Sequence, residues 1–210
     1  MAKSKMRFGI DLGTTNSAIC RIEGGEPVII KTDTQKDILP SCVSFSRKKV
    51  RRVGDLGYND LRQARSQATK SWSRGNENVF IEFKRDMGQN KTSFSSNMDE
   101  SFSPEQLSAE VLKKLKEFIV DENVSAAVIT VPAKFKADQI AATTRAALLA
   151  GIQQCELLQE PIAASIAYGL SSANKNGRWL VFDFGGGTFD AALVKVEDGI
   201  MQIKDTEGDN

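Results

Sequence analysis

Asp11-Leu12-Gly13-Thr14-Thr15-Asn16-Ser17, near the start of the chain, has a near-copy close to its other end, Asp183-Phe184-Gly185-Gly186-Gly187-Thr188-Phe189-Asp190. Each stretch follows an apolar run, Phe8-Gly9-Ile10 in the first and Leu180-Val181-Phe182 in the second. Each leads into a second strand, Ala18 to Ile22 or Ala191 to Val196, and then an acidic-glycine turn, Glu23-Gly24-Gly25-Glu26 or Glu197-Asp198-Gly199. A third strand follows, near Val28 or Met201, ending at Lys31 or Lys204. With one extra glycine in the second copy the segments align throughout, which predicts a three-strand unit used twice.

Glycine lets the backbone approach a ligand closely. Successive backbone N–H groups in a tight turn form an anion-binding concavity, and threonine hydroxyls add donors to it. An Asp at the strand end repels phosphate, so its place there suits a hydrated Mg²⁺ bridging to the phosphates. One such hairpin reads as an ordinary glycine turn. Two, each opening a three-strand unit, read as a clamp on a polyphosphate.

The 210 residues suit one large domain or two small ones. A net charge of +1 gives no reason to expect a nucleic-acid partner. Cys20, Cys42 and Cys155 are far apart and flanked by apolar residues, which predicts buried, reduced thiols in a cytosolic protein. No apolar run is long enough for a transmembrane helix, and Met1 to Met6 lacks the apolar core of a signal peptide, so a cytoplasmic location without membrane contact is expected. The chain contains no histidine, so any proton transfer uses Asp, Glu, Lys or water. Neither Gly-x-x-x-x-Gly-Lys-Ser/Thr nor Gly-x-Gly-x-x-Gly occurs, and the phosphate argument rests on the duplicated hairpin.

Residues 7 to 31 read as three strands. Leu39-Pro40-Ser41 breaks the chain before a β-rich run, Cys42 to Phe45. Arg47-Lys48-Lys49 and Arg51-Arg52 mark a solvated hairpin tip. A helix is expected over Leu56 to Ala68, a loop over Thr69 to Asn78, an irregular or strand-like segment over Val79 to Lys84, and a poorly constrained Ser/Asn-rich stretch over Gln89 to Asp99. Ser103-Pro104-Glu105-Gln106 predicts a capped helix start, with Leu107, Val111, Leu112, Leu115, Phe118 and Ile119 at helical spacing. Ala126 to Val131 reads as a buried strand stopped by Pro132, Lys136 to Ala150 as a helix, Cys155 to Leu158 as a strand and Pro161 to Leu170 as a helix. The alternation predicts parallel strands with crossover helices.

Four segments together, in order, resemble the seventy-kilodalton heat-shock (DnaK-type) chaperones. They are Ile10 to Ser17, Ile129-Thr130-Val131-Pro132-Ala133, Gln159-Glu160-Pro161 with the segment to Leu170, and Val181 to Asp190. The resemblance spans essentially the whole chain. It implies an α/β, actin-like ATPase (ribonuclease H-like) fold with a mixed sheet and crossover helices. Lobe I would occupy residues 1–178, and residues 179–210 would be the opening three-strand unit of a truncated lobe II. It implies ATP or ADP with Mg²⁺ as ligands, with K⁺ left open as a further cation. It further implies unfolded polypeptide clients bound by an absent domain, a J-domain co-chaperone and a nucleotide-exchange factor. For the chain alone, weak ATP binding and very low activity are expected.

By the same resemblance Asp11 holds Mg²⁺ through water, and Gly13, Thr14, Thr15 and Asn16 form the first phosphate loop. Gly185, Gly186, Gly187 and Thr188 form the second, with Asp190 near a cation. Lys84 reaches the γ-phosphate and attacking water. Glu160 orients a water, and Asp183 is the general-base or cation-binding carboxylate. Pro132 matches a switch that relays nucleotide state, though a strand terminator explains it equally well. Ile140 replaces an arginine of the family pattern that contacts the interdomain linker. An actin-like filament or scaffold ATPase and a sugar or acetate kinase of the same superfamily are the alternatives.

Overall fold

The structure, a computed structural model, describes residues 6–67, 75–169, 176–185 and 189–209. Three strands open the chain: β1 (Phe8–Leu12), β2 (Asn16–Glu23) and β3 (Glu26–Ile29). A small second sheet and a helix follow, made of β4 (Leu39–Pro40), β5 (Cys42–Phe45), β6 (Arg51–Val53), α1 (Asp55–Gln67), β7 (Gly75–Asn76) and β8 (Val79–Ile81). A 3₁₀ turn, Phe83–Asp86, leads to a hairpin of β9 (Ser93–Ser95) and β10 (Glu100–Phe102). Then come α2 (Pro104–Glu117), β11 (Ala126–Val131), α3 (Ala137–Leu149), β12 (Gln154–Gln159) and α4 (Glu160–Ala167). The last unit is β13 (Gly177–Phe184), β14 (Phe189–Glu197) and β15 (Ile200–Asp209).

The main sheet has the order β12-β11-β1-β2-β3, with β4 joined to β2. β1 pairs antiparallel with β2 and parallel with β11, which pairs parallel with β12 through the crossover α3. The α/β class with a mixed sheet and crossover helices is therefore present. β1 is central, and its Ile10 and Leu12 are buried together with Ile19, Ile129 and Ile152.

The second helix forms where its sequence says it should. Ser103 Oγ accepts from the Gln106 N–H at 3.3 Å, and Gln106 Oε1 accepts from the Ser103 N–H at 2.7 Å. Its inner face buries Leu107, Val111, Leu112 and Leu115, and each such side chain contributes about 1.5–3 kcal/mol. The basic hairpin tip is solvated, and Arg52 is tied to Asp60 on α1 at 2.9 Å.

Several expectations need correction. Gly75–Asn76 lies inside the stretch read as a loop and pairs with β8, while residues 69–74 lie outside the described residues. The Ser/Asn-rich stretch forms the β9–β10 hairpin, because the Asn78 side chain accepts from Ser95 Oγ at 2.8 Å and from the Asn97 N–H at 2.9 Å. Val79 to Lys84 splits into β8 and the 3₁₀ turn. Leu39-Pro40 pairs with Asn16 and Ser17 as well as ending a segment. β15 extends past Lys204 to Asp209. Cys42 is buried, its thiol pushed up to about 12 by burial, but Cys20 and Cys155 are only partly buried.

The repeat itself also changes. Asp11 pairs with Ala18 and Leu12 with Ser17, while Asp183 pairs with Asp190 and Phe184 with Phe189. The loops Gly13–Asn16 and Gly185–Thr188 are thus equal in length, and there is no extra glycine between the paired strands. The second strand has 9 residues in the second unit against 8 in the first, and the β14–β15 pairing has a register shift between Leu193 and Val194.

Candidate active site

Ligands of α/β sheets bind beyond the carboxyl ends of the strands. Here β1, β11 and β12 end at one edge and carry Asp11, Thr130 and, at the first residue of α4, Glu160 to it. A cleft of about 620 Å³ opens above them. Gly13, Thr14, Thr15 and Asn16 line it, as do Asp183, Gly185 and Asp190 of the second unit, together with Lys84, Glu160 and Pro132. Of the residues singled out from sequence, Gly186, Gly187 and Thr188 lie outside the described residues. Ile140 sits on α3, 40 % exposed, and does not line the cleft.

Lys84 reaches the cleft from the 3₁₀ turn. β8 ends at Ile81, and Glu82 adopts a left-handed conformation (φ 55°) that redirects the chain. Phe83 and Met87 are buried in the main core, which fixes the turn. Lys84 itself is 5 % exposed. Its Nζ donates to Glu160 Oε1 at 2.8 Å and lies 5.7 Å from the centre of the Phe135 ring, within range of a cation–π attraction.

The carboxylates outnumber this cation. Burial raises the pKa of Glu160; Lys84 opposes that, and Asp11 and Asp183 add to it by repulsion. Asp190 is raised by burial first and then by Asp183, against Lys134 and Lys84. Asp190 Oδ1 is buried with no hydrogen-bond partner among the described residues. This surplus of negative charge and the orphaned oxygen fit a bound cation. Among the described residues no three Cys, Asp or Glu side chains converge as direct ligands. The arrangement therefore suits an ion such as Mg²⁺ that keeps much of its water. Asp11 and Asp183 are exposed and face that space, and Asp190 stands beside them.

Sequence reading missed four supports. Thr130 Oγ1 donates to Asp11 Oδ1 at 2.9 Å, which fixes one carboxylate oxygen and leaves the other for the cleft. The available signal was a lone hydroxyl at the end of an apolar strand. Ser41, noted as part of a chain break, donates its hydroxyl to the Gly13 carbonyl at 2.8 Å. Gly208 passes beneath Asp190 so closely that a Cβ there would meet Phe189 O at 2.3 Å and Asp190 Oδ1 at 2.4 Å. Gly13 has a similar reason to be glycine, since a Cβ would lie 2.0 Å from Asn16 O. Lys134 Nζ adds contacts to Glu207 Oε1 and the Gly208 carbonyl, both at 3.4 Å, joining the loop after β11 to β15.

The first glycine loop and Gly185 opposite it, a buried lysine and an excess of carboxylates define a cleft able to hold a polyphosphate with its cation. The family model described as Hsp70 protein matches residues 7–210, and the chain belongs to that family. It therefore carries a chaperone ATPase domain; ATP or ADP with Mg²⁺, unfolded clients and co-chaperones are general to the family. The filament and sugar or acetate kinase alternatives gain no support. Among the described residues no helix is long and apolar enough to cross a membrane.

Proposed function

We propose that this cleft binds ATP between the two hairpins and hydrolyses it by direct attack of water. The observation that carries the reading is the contact of buried Lys84 with half-buried Glu160, 2.8 Å apart, in the cleft lined by Gly13 to Asn16 and Gly185. Thr14, Thr15 and Asn16 hold the β and γ phosphates from one side, and Gly185, Gly186, Gly187 and Thr188 hold them from the other. Lys84 supplies positive charge to the transferring phosphoryl group. Glu160, Asp183 or both orient the attacking water. Asp11, Asp183 and Asp190 would hold Mg²⁺ through its water shell, with K⁺ a further candidate for the same acidic region. When bound, Mg²⁺ neutralises phosphate charge. Phosphoryl transfer asks mainly for positioning and charge, and no covalent intermediate is needed.

The same reading assigns an actin-like fold, supported by the strand order with antiparallel β3-β2-β1 continuing into parallel β11 and β12. It divides the chain into lobe I, residues 1–178, and the opening unit of lobe II, residues 179–210, whose first strand β13 begins at Gly177. Nucleotide state would then govern client binding in concert with a J-domain co-chaperone and an exchange factor, in the cytoplasm and under heat stress. Release of phosphate from ATP in the presence and absence of Mg²⁺ tests the core of the reading. Mg²⁺-dependent turnover is expected; ATP binding without any turnover would overturn the hydrolytic role.

A further inference from the structure

Two buried serines brace the first loop from below. Ser17 is 1 % exposed and Ser41 2 %, and neither lines the cleft. The Gly13 N–H donates to Ser17 Oγ at 3.2 Å, and Ser41 Oγ donates to the Gly13 carbonyl at 2.8 Å. The two hydroxyls are 2.9 Å apart. A hydroxyl carries one proton, and that of Ser41 goes to Gly13, so Ser17 is the donor between them. The three bonds run in one direction around a closed ring and polarise one another. The Ser41 N–H adds a bond to the Thr15 carbonyl at 2.8 Å.

The ring has a directional consequence. In a trans peptide the C=O and the following N–H point opposite ways. Drawing the Gly13 carbonyl down to Ser41 turns the Thr14 N–H up. Drawing the Thr15 carbonyl down turns the Asn16 N–H up in the same way. The Gly13 N–H, by contrast, is held by Ser17 and faces away from the cleft.

We infer that Ser17 and Ser41 are positioning residues that aim the Thr14 and Asn16 amides at a bound phosphate. The inference rests on the ATP reading above, and it gives Gly13 a purely structural part in the loop. Calorimetric titration with Mg·ATP and with adenosine, on the wild type and on Ser17→Ala, Ser41→Ala and the double variant, tests it. Ser41→Ala should weaken ATP binding by about tenfold, the scale of one buried hydrogen bond, while adenosine affinity stays within about twofold. Because either substitution opens the ring, the double variant should be little worse than one alone. Ser41→Thr, which keeps the hydroxyl, should recover much of the ATP affinity. Unchanged ATP affinity in Ser41→Ala, equal loss of ATP and adenosine, or losses that multiply in the double variant would overturn the ring's role. Wild-type protein that binds no ATP overturns the ATP reading instead. Amide exchange on the wild type needs no variant to fold. Gly13 should exchange more slowly than Thr14, and ATP should slow Thr14 while leaving Gly13 unchanged. Gly13 exchanging as fast as Thr14 would remove the ring itself.

Discussion

Four residues separate Leu12 from its partner Ser17, and four separate Phe184 from Phe189. Around these equal loops the two hairpins differ position by position. Where the first has Ser17, buried and bonded to the loop, the second has Phe189, stacked on Phe182 with ring centres 6.0 Å apart. Where the first has Ala18 opposite Asp11, the second has Asp190 opposite Asp183. Like charges directly opposite each other across a strand pair are destabilising. The first hairpin is thus braced by internal hydrogen bonds, and its Asp11 is fixed by Thr130. The second carries paired carboxylates whose repulsion is eased by Lys134 and Lys84, by a proton on Asp190 or by a bound cation. Equal loop length with unequal support suggests a difference of emphasis: in the proposed reading both loops face phosphate, and the second hairpin, with two aspartates against one, draws more positive charge.

Lys84 stands between the two, and its loss is the most severe way to test that difference. Lys84→Ala should lower single-turnover hydrolysis by about 10²–10³-fold, the scale of one preorganised charge-stabilising donor, with nucleotide affinity largely kept. A near-normal rate would remove Lys84 from the chemistry. The two close-approach glycines come next. Gly13→Ala and Gly208→Ala should each destabilise the fold by about 1–3 kcal/mol, the cost of overpacking, measured by urea unfolding. A neutral Gly208→Ala would mean that β15 does not support the second hairpin. Thr130→Val leaves the shape of Asp11 intact and removes its brace. It should raise the Mg²⁺ concentration needed for half-maximal ATP binding by up to about tenfold, and Thr130→Ser should restore it.

The smallest effect separates the charge of the second hairpin from its shape. Asp190 has a native pKa above its ordinary value, so the folded state holds this proton more tightly than the unfolded one. Stability from that proton is present at acid pH and is lost as pH rises through the raised native value. Asp190→Asn should therefore gain stability relative to wild type as pH rises from the ordinary Asp range through that value, then level off. Thermal melts across pH would show it, and added Mg²⁺ should narrow the gap. A constant difference across pH would mean that Asp190 does not titrate differently on folding.

Much of this was legible in local pattern. Ala126–Val131 is bounded as read because six apolar or β-branched residues run into a proline, and the start of α2 because its cap is written in four consecutive residues, although its apolar spacing runs on past Glu117 to Phe118 and Ile119. The duplicated hairpin pointed to Asp11, Gly13 to Asn16, Asp183, Gly185 and Asp190 of the cleft because phosphate loops leave glycines and threonines in sequence, whereas Lys84 and Glu160 came from the family resemblance. What escaped is what depends on distant partners. Thr130 gains meaning only from Asp11, and Ser41 only from Gly13. The β9–β10 hairpin is organised by Asn78, which lies outside it. The extra glycine appears only when the strand starts Ala18 and Ala191 are matched; pairing places Asp190, not Ala191, level with Ala18.

The central place of β1 has a consequence in time. Its parallel neighbour β11 and the brace on Asp11 come from residues 119 positions later, and Glu160 follows Lys84 by 76 positions. A translating ribosome adds residues at about 5–20 per second, so roughly 6–24 s pass between synthesis of Asp11 and of Thr130. Through that interval β1 can pair with β2 but has an open edge where β11 will lie. The edge that carries Asp11, Thr130 and Glu160 is therefore completed only once Glu160 has been synthesised, and its contact order makes its assembly a slow step.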